Sequence, residues 1–256
     1  MKISIVTACY NSVSTILDTL RSIQMQTHQD IEHIVIDGGS SDGTLEILEQ
    51  NIEHIAVLIS EPDKGLYDAM NKGISKATGD VIGMLNSDDL FANRNALAMI
   101  VNKLSDPSID ACYGDLIYVK CDDIDQVVRY WKSSEYKPDL FSKGWVPAHP
   151  TFYVRKSIHD KHGILFNTNY ELAADYDIFL RLLFTNKINV AYIPEVLVKM
   201  RLGGATNKSL QNIINQNRES IQILKSHDYN CSPIKFICNK FINRVQQYYK
   251  RYSYVG

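Results

Sequence analysis

A chain of 256 residues with 45% hydrophobic content can form one large domain around a substantial core. Its formal net charge of −2 and pI near 6.4 argue against a nucleic-acid binder, and five scattered cysteines without a CxxC pair argue against a zinc site or a disulfide framework. No apolar run reaches membrane-spanning length and no signal peptide precedes the first strand pattern, so a reducing cytoplasm is the expected compartment.

Lys2–Ala8 is rich in Ile and Val and reads as a buried strand. Asn11 and Ser12 turn the chain into a helix whose Val13, Ile16, Leu17, Leu20 and Ile23 share one face. Ile31–Asp37 is a second strand, followed by the polar loop Gly38–Thr44 and a helix over Leu45–Asn51. Ile55–Ser60 is a third strand, broken by Glu61-Pro62-Asp63-Lys64-Gly65, which opens the helix Leu66–Ala77. Val81–Leu85 is the fourth and runs into Asn86-Ser87-Asp88-Asp89. Strand, loop and helix repeated in this way predict a parallel sheet with helices on its faces.

The alternation stops near Leu104, after a helix-like Arg94–Leu104. Ile109–Val119 and Val127–Trp131 read as strands, Pro138–His149 as a loop and Thr151–Val154 as a short β segment. Glu171–Phe184 predicts a helix, Ile188–Met200 a strand that Pro194 breaks or places at an edge, and Asn207–His227 a long helix. The expected organisation is a domain over 1–228, with a nucleotide-binding half over 1–89 and an acceptor half over 90–228. A basic, amphipathic helical tail over 229–256 follows.

Three strand ends in succession carry carboxylates: Asp37, Asp63 and the pair Asp88/Asp89. Ligands of open α/β sheets sit at this edge. Paired Asp oxygens there suit Mg²⁺ or Mn²⁺ bridging a diphosphate, because an acidic rim repels a bare phosphate. Capping of the next helix is the alternative reading of the pair. The glycines match neither a GxGxxG turn nor a GxxxxGK[ST] loop, which argues against dehydrogenases and P-loop enzymes.

The motifs Ser4-Ile5-Val6-Thr7-Ala8-Cys9-Tyr10-Asn11, Ile36-Asp37-Gly38-Gly39-Ser40-Ser41-Asp42-Gly43-Thr44, Asp63-Lys64-Gly65-Leu66-Tyr67-Asp68-Ala69-Met70-Asn71-Lys72-Gly73 and Leu85-Asn86-Ser87-Asp88-Asp89 occur in that order. In them the chain resembles the glycosyltransferase family 2 enzymes. Later the resemblance thins to His149-Pro150-Thr151, Ala174-Asp175-Tyr176-Asp177 and Arg201-Leu202-Gly203-Gly204. It implies an α/β fold of the GT-A type: a Rossmann-like mixed sheet flanked by helices, here with a C-terminal helical extension. It also implies inverting transfer from a UDP-sugar to a saccharide acceptor, lipid-diphosphate-linked, in surface polysaccharide assembly, with Mn²⁺ or Mg²⁺ as cofactor.

By the same resemblance Thr7, Ala8, Tyr10 and Asp37 border the uracil or ribose, with Asp37 the hydrogen-bonding partner of the base. Asp63 lies near the uracil, Lys64 or Arg201 faces phosphate, Asp88 lies near the ribose and Asp89 ligates the metal. Asn86 stands where a strict Asp-x-Asp would have its first acid, so direct coordination falls to Asp89. The family's Glu-Asp base motif is Ala174-Asp175 here, which makes Asp175 the expected base and Asp177 the runner-up. Lys199 or Arg201 would help the metal steady the leaving diphosphate, and Gly203-Gly204 is a candidate loop hinge. His149 and Trp145 are expected at the acceptor, against the ordinary alternative of core packing.

From Tyr229 onward there is no acidic residue, and Lys235, Lys240, Arg244, Lys250 and Arg251 alternate with aromatic and aliphatic side chains. Such a tail suits an interfacial helix on anionic lipid, which would place the protein at the inner face of the membrane. It equally suits packing on its own domain or on another subunit in a homo-oligomer. The rivals to a transferase are a non-catalytic sugar-nucleotide-binding protein, which the missing Glu at Ala174 keeps open, and a sugar-phosphate nucleotidyltransferase. The latter would need a glycine-rich basic loop where Ala8-Cys9-Tyr10-Asn11-Ser12 stands.

Overall fold

In a computed structural model of the chain, residues 1–163, 165–203 and 209–251 are described. At its centre runs β1 (Ile3–Cys9), buried along its whole length as a strand covered on both faces must be. β2 (Ile31–Asp37) and β4 (Val81–Met84) flank it in parallel, and β3 (Val57–Ser60) lies parallel outside β2. The helices α1 (Ile16–Gln24), α2 (Thr44–Gln50) and α3 (Leu66–Lys76) connect these strands. α1 buries Ile16, Leu20 and Ile23, and α3 buries Ala69, Met70 and Ile74, the spacing that gathers side chains on one helical face.

Beyond α3 the parallel plan gives way. β5 (Leu90–Phe91), α4 (Ala96–Leu104), β6 (Ala111–Val119), β7 (Val127–Trp131), β8 (Tyr153–Arg155), α5 (Lys156–His162), α6 (Ala174–Phe179) and β9 (Val190–Arg201) follow in the chain. They extend the sheet to nine strands in the order β3-β2-β1-β4-β8-β6-β9-β5, with β7 paired to β6. β8 is antiparallel to both β4 and β6, so the sheet is mixed, as an α/β fold of the GT-A type requires.

Pro194 neither breaks β9 nor sits on its edge. Tyr192 faces Tyr113 and Val196 faces Asp115, so the register against β6 slips across the proline and a bulge absorbs the missing amide. The helix expected over 171–184 starts only at Ala174 and passes into a wider π turn over Leu180–Thr185. The long helix is α7 (Leu210–Ser226), whose first turn is capped by Ser209 Oγ accepting from the Asn212 amide at 3.0 Å.

The tail forms α8 (Pro233–Lys250), which packs on its own domain. Phe236 is fully buried, its ring 6.0 Å from and edge-on to Tyr176, and Asn243 Nδ2 donates to the Lys143 carbonyl at 3.0 Å. Gly144 makes the approach possible: at φ 69° it adopts a left-handed turn, and a Cβ there would lie 2.9 Å from the Lys240 Cβ. The opposite face of α8 leaves Ile234, Phe241, Ile242, Val245 and Tyr249 exposed. Among the described residues no helix is long and apolar enough to cross a membrane.

Candidate functional site

β1 and β2 end at one level, Cys9 beside Asp37, and β4 ends lower, Met84 beside Val6, so that the chain after it rises to the same edge. The loops leaving those ends roof a cavity of about 880 Å³. Two of the loops are stapled together. The Asn11 amide donates to Ser40 Oγ at 2.8 Å, Asn11 Oδ1 accepts from the Ser41 amide at 3.0 Å, and the Ser12 amide donates to Thr44 Oγ1 at 2.7 Å.

Asp37 organises this roof from below. It is fully buried; Oδ2 accepts from the Gly39 and Ser40 amides and from Ser60 Oγ, while Oδ1 accepts from Ser40 Oγ and Cys9 Sγ. Despite burial, those donors hold its carboxyl below the usual range. These donors tie Asp37 to the Gly39–Ser40 turn, to Ser60 and to Cys9, and so fix the floor of the cleft.

The side chains that do face the opening are Tyr10, 63% exposed, and Asp63. They converge over Gly38, where a Cβ would lie 2.5 Å from Asp63 Oδ2 and 3.4 Å from the Tyr10 ring. Ala8 lines the same cavity, whereas Thr7 is buried in the sheet with its hydroxyl 3.0 Å from His33 Nε2. Lys64 is outside the cavity lining; its amide donates to Asp68 Oδ2.

Past β4, Asp88 and Asn86 line the cavity and Asp89 is fully buried beneath them. Asn86 Nδ2 donates to Asp89 Oδ2 at 3.0 Å and lies 3.2 Å from His149 Nε2. His149 Nδ1 in turn is 3.8 Å from Asp175 Oδ2. Asp89, Asn86, His149 and Asp175, from three separate stretches of chain, thus stand in one line. Burial holds His149 below its usual pKa, with Asp175 and then Asp88 opposing. Burial, and then the neighbouring Asp88, push the Asp89 carboxyl well above the carboxylate range.

Asp89 Oδ1 and Asn86 Oδ1 are both buried without a partner. Two orphaned oxygens beside an acid that burial disfavours as an anion fit a divalent cation: oxygen ligands are what such an ion takes, and its charge would restore the carboxylate. No group of three or more His, Cys, Asp or Glu residues forms a ready cage among the described residues, so an ion here would complete its shell from the ligand or water.

Asp175 and Asp177 separate cleanly. Asp175 lines the cavity, with Oδ1 accepting the Tyr176 amide at 2.8 Å and Oδ2 toward His149. Asp177 is buried between Arg181 Nε at 2.8 Å and His227 Nε2 at 3.2 Å. Arg201 is buried too, donating to the Asp88 carbonyl at 2.9 Å and to Asp18, and so braces the acidic turn. Lys199 points to Asp125 at 3.0 Å and is absent from the lining. Trp145 lines the cavity edge-on to Tyr113, with ring centroids 5.7 Å apart. Of the proposed hinge, Gly203 is described and Gly204 lies outside the described residues.

The far wall holds residues that spacing could not reveal. Arg129 of β7 is buried with its guanidinium 3.6 Å from the centre of the Tyr118 ring. Lys240 and Arg244 of α8 join it in the lining. Only the absence of acid after Tyr229 hinted at them.

The profile described as glycosyl transferase family 2 matches residues 4–165. A Mycobacterium tuberculosis protein described as an uncharacterized glycosyltransferase is 40% identical over 104 residues, which are 40% of this chain and 40% of that protein. A PGL/p-HBAD biosynthesis glycosyltransferase of Mycobacterium bovis is 29% identical over 211 residues, 80% of this chain and 78% of its own. Among solved structures, S. aureus TarS 1-349 in complex with UDP superposes with a TM-score of 0.68 at 18% identity, over 91% of this chain and 67% of that one. A mannosyltransferase from Pyrobaculum calidifontis in complex with GDP-Man and Mn²⁺ does so with a TM-score of 0.66 at 19% identity, over 93% and 68%. These likenesses carry the fold.

Proposed function

Since this chain belongs to glycosyl transferase family 2, we propose that it transfers a hexosyl or N-acetylhexosaminyl group from a UDP-sugar to a saccharide acceptor, lipid-diphosphate-linked, with inversion. The observation that carries this reading is the line Asp89–Asn86–His149–Asp175, which sets a buried pair of unpartnered oxygens beneath one cavity and a carboxylate on its wall. The complexes of two structural neighbours, one with UDP and one with GDP-Man and Mn²⁺, support a nucleotide-sugar donor and a divalent cofactor.

In this reading Tyr10 stacks on the base and Asp63 accepts from it, with Asp88 at the ribose. Mn²⁺ or Mg²⁺, held by Asp89 with Asn86, would neutralise charge on the departing diphosphate. Asp175 Oδ2 takes the proton of the acceptor hydroxyl as that oxygen bonds to the anomeric carbon and the carbon–UDP bond breaks. His149 stands beside the carboxylate, its Nδ1 3.8 Å from Oδ2, and Trp145 offers the acceptor sugar an aromatic face.

The direct experiment is an Asp175→Asn variant assayed with a panel of UDP-sugars, with and without Mn²⁺. UDP binding should persist while transfer collapses; undiminished transfer would place the base elsewhere. The exposed row Ile234, Phe241, Ile242, Val245 and Tyr249, with Lys235 on the same helix, suits contact with anionic lipid at the inner membrane face. Co-sedimentation with phosphatidylglycerol vesicles should fall for Phe241→Ser, and equal sedimentation of both proteins would remove the lipid contact.

A further inference from the structure

The two ends of the cavity differ in charge. Asp63, Asp88 and Asp175 face it from the strand ends and α6, while the wall made by β7, the Ser142–Gly144 turn and α8 contributes Arg129, Lys132, Lys143, Lys240, Arg244 and Lys250. Lys143 is paired with Asp139 at 2.6 Å, whereas α8 itself carries no acidic residue. Arg129 is the telling member. It is only 5% exposed, its Nε is buried without a hydrogen-bond partner, and no carboxylate pairs with it among the described residues. Its neighbours are the faces of Tyr118 and, at 5.9 Å, Tyr248. A buried guanidinium is ordinarily paired, since taking an unpaired charge out of water is costly.

Lys240 repeats the pattern. Its Nζ meets the Gln216 side-chain oxygen at 3.2 Å and lies 5.8 Å from the Phe236 ring centre. Burial draws its pKa down to about 8, with Asp175 opposing and Arg244 reinforcing the shift. For Arg129 burial again works against the charge, Tyr118 opposes and Arg244 adds to the effect, so the two arginines are near neighbours. Several cations crowded into one wall, one of them buried with a donor unspent, ask for an anion with multiple acceptor oxygens.

We propose that Arg129, Arg244 and Lys240 form an anion subsite that binds a phosphate or diphosphate ester of the acceptor, on the wall facing the acidic strand ends. This deepens the transferase reading and rests on it for the word acceptor; the anion site itself stands on the geometry alone. The subsite gives the acceptor two holds, an anionic group on the arginines and a sugar beside Trp145, with its hydroxyl turned toward Asp175. An acceptor lacking phosphate keeps only the second.

The test uses the full chain and three proteins: wild type, Arg129→Met and Arg244→Gln. Arg244 is half-buried on α8, so its variant keeps the experiment decisive should Arg129→Met fold poorly. Calorimetric titration with inorganic pyrophosphate in EDTA should show binding to the wild type and at least tenfold weaker binding to either variant. No binding to the wild type, or equal binding to all three, overturns the subsite. Titration with UDP and Mn²⁺ should give the same affinity for all three. A parallel tenfold loss there would assign the cluster to the donor diphosphate and overturn the acceptor assignment. Kinetics with an alkyl diphosphate-linked sugar and the matching alkyl glycoside should show the KM of the former alone rising in the variants, and equal KM changes for both overturn it. Failure of wild-type protein to bind UDP would count against the transferase reading, while the pyrophosphate titration would still decide the subsite.

Discussion

The acidic and basic ends of the cavity, the donor and acceptor ends of the proposed reaction, are built on opposite plans. At the donor end Asp37 is satisfied locally: it collects five donors, most from the loop that follows it, and adjacent loops are stapled by Asn11, Ser12 and Thr44, leaving only Asp89 Oδ1 and Asn86 Oδ1 for an ion. At the acceptor end, cations from β7 and α8 line one wall across more than a hundred residues of sequence, and Arg129 Nε is left buried without a partner. A saturated network fixes shape before any ligand arrives, and an unsaturated one becomes complete through its ligand. The first plan suits a nucleotide common to many reactions, the second an acceptor that distinguishes one reaction from another.

Substitutions that act on one end alone test this contrast. The largest effect falls where the ends meet: Asp175→Asn should lower kcat by about 10²–10⁴-fold with UDP affinity unchanged, read by steady-state kinetics and calorimetry. A comparable fall in UDP affinity would mean that the ends are one unit. Gly144→Ala acts on the acceptor wall, since the new Cβ collides with α8 and the residue must hold a positive φ. It should cost roughly 1–3 kcal/mol in thermal unfolding and raise the KM for acceptor while UDP still binds. Gly38→Ala is its donor-end counterpart, displacing Asp63, and should weaken UDP binding about tenfold, or about 1.4 kcal/mol, without touching pyrophosphate binding.

The smallest effect is a pH step. Lys240 titrates near 8, faced by Asp175, Arg244 and Gln216. It is charged at neutral pH and loses its proton as pH rises through that value, so pyrophosphate affinity should drop about fivefold between pH 7 and 9. Lys240→Met should show no step. The stability sign is opposite: because the folded pKa lies below the ordinary 10.5, the unfolded chain holds more protons between about 8 and 10.5, and this group's contribution to stability rises with pH there.

How far each end could be read from the sequence follows from the same contrast. Alternating strand and loop patterns up to Asp89 gave the parallel strands, because each loop closes on its own strand end and leaves its chemistry contiguous in the chain. Asp37 shows the limit of that reading. Its position is evident, but whether its oxygens face a ligand or the following amides depends on loop conformation, which the residue string does not contain. Asp175 was ranked ahead of Asp177 from the sequence, but the partner that occupies Asp177, His227, lies fifty residues on and has no signal in the chain. Arg129 was invisible because one arginine in a strand carries no pattern, and its meaning arises only when α8 closes over it. The tail was read as either lipid-facing or packed; one face of α8 packs on its own domain, through Phe236 and Asn243.

Arg201 carries a consequence for modularity. Its guanidinium spans from β9 to the Asp88 carbonyl and to Asp18, and β5, directly after the acidic turn, finds its strand partner only in β9. The segment that looks like a free-standing nucleotide binder therefore borrows its last turn's brace from a strand a hundred residues downstream. A fragment cut after Asp89 would keep every recognisable motif and lose the scaffold that holds the final one in place.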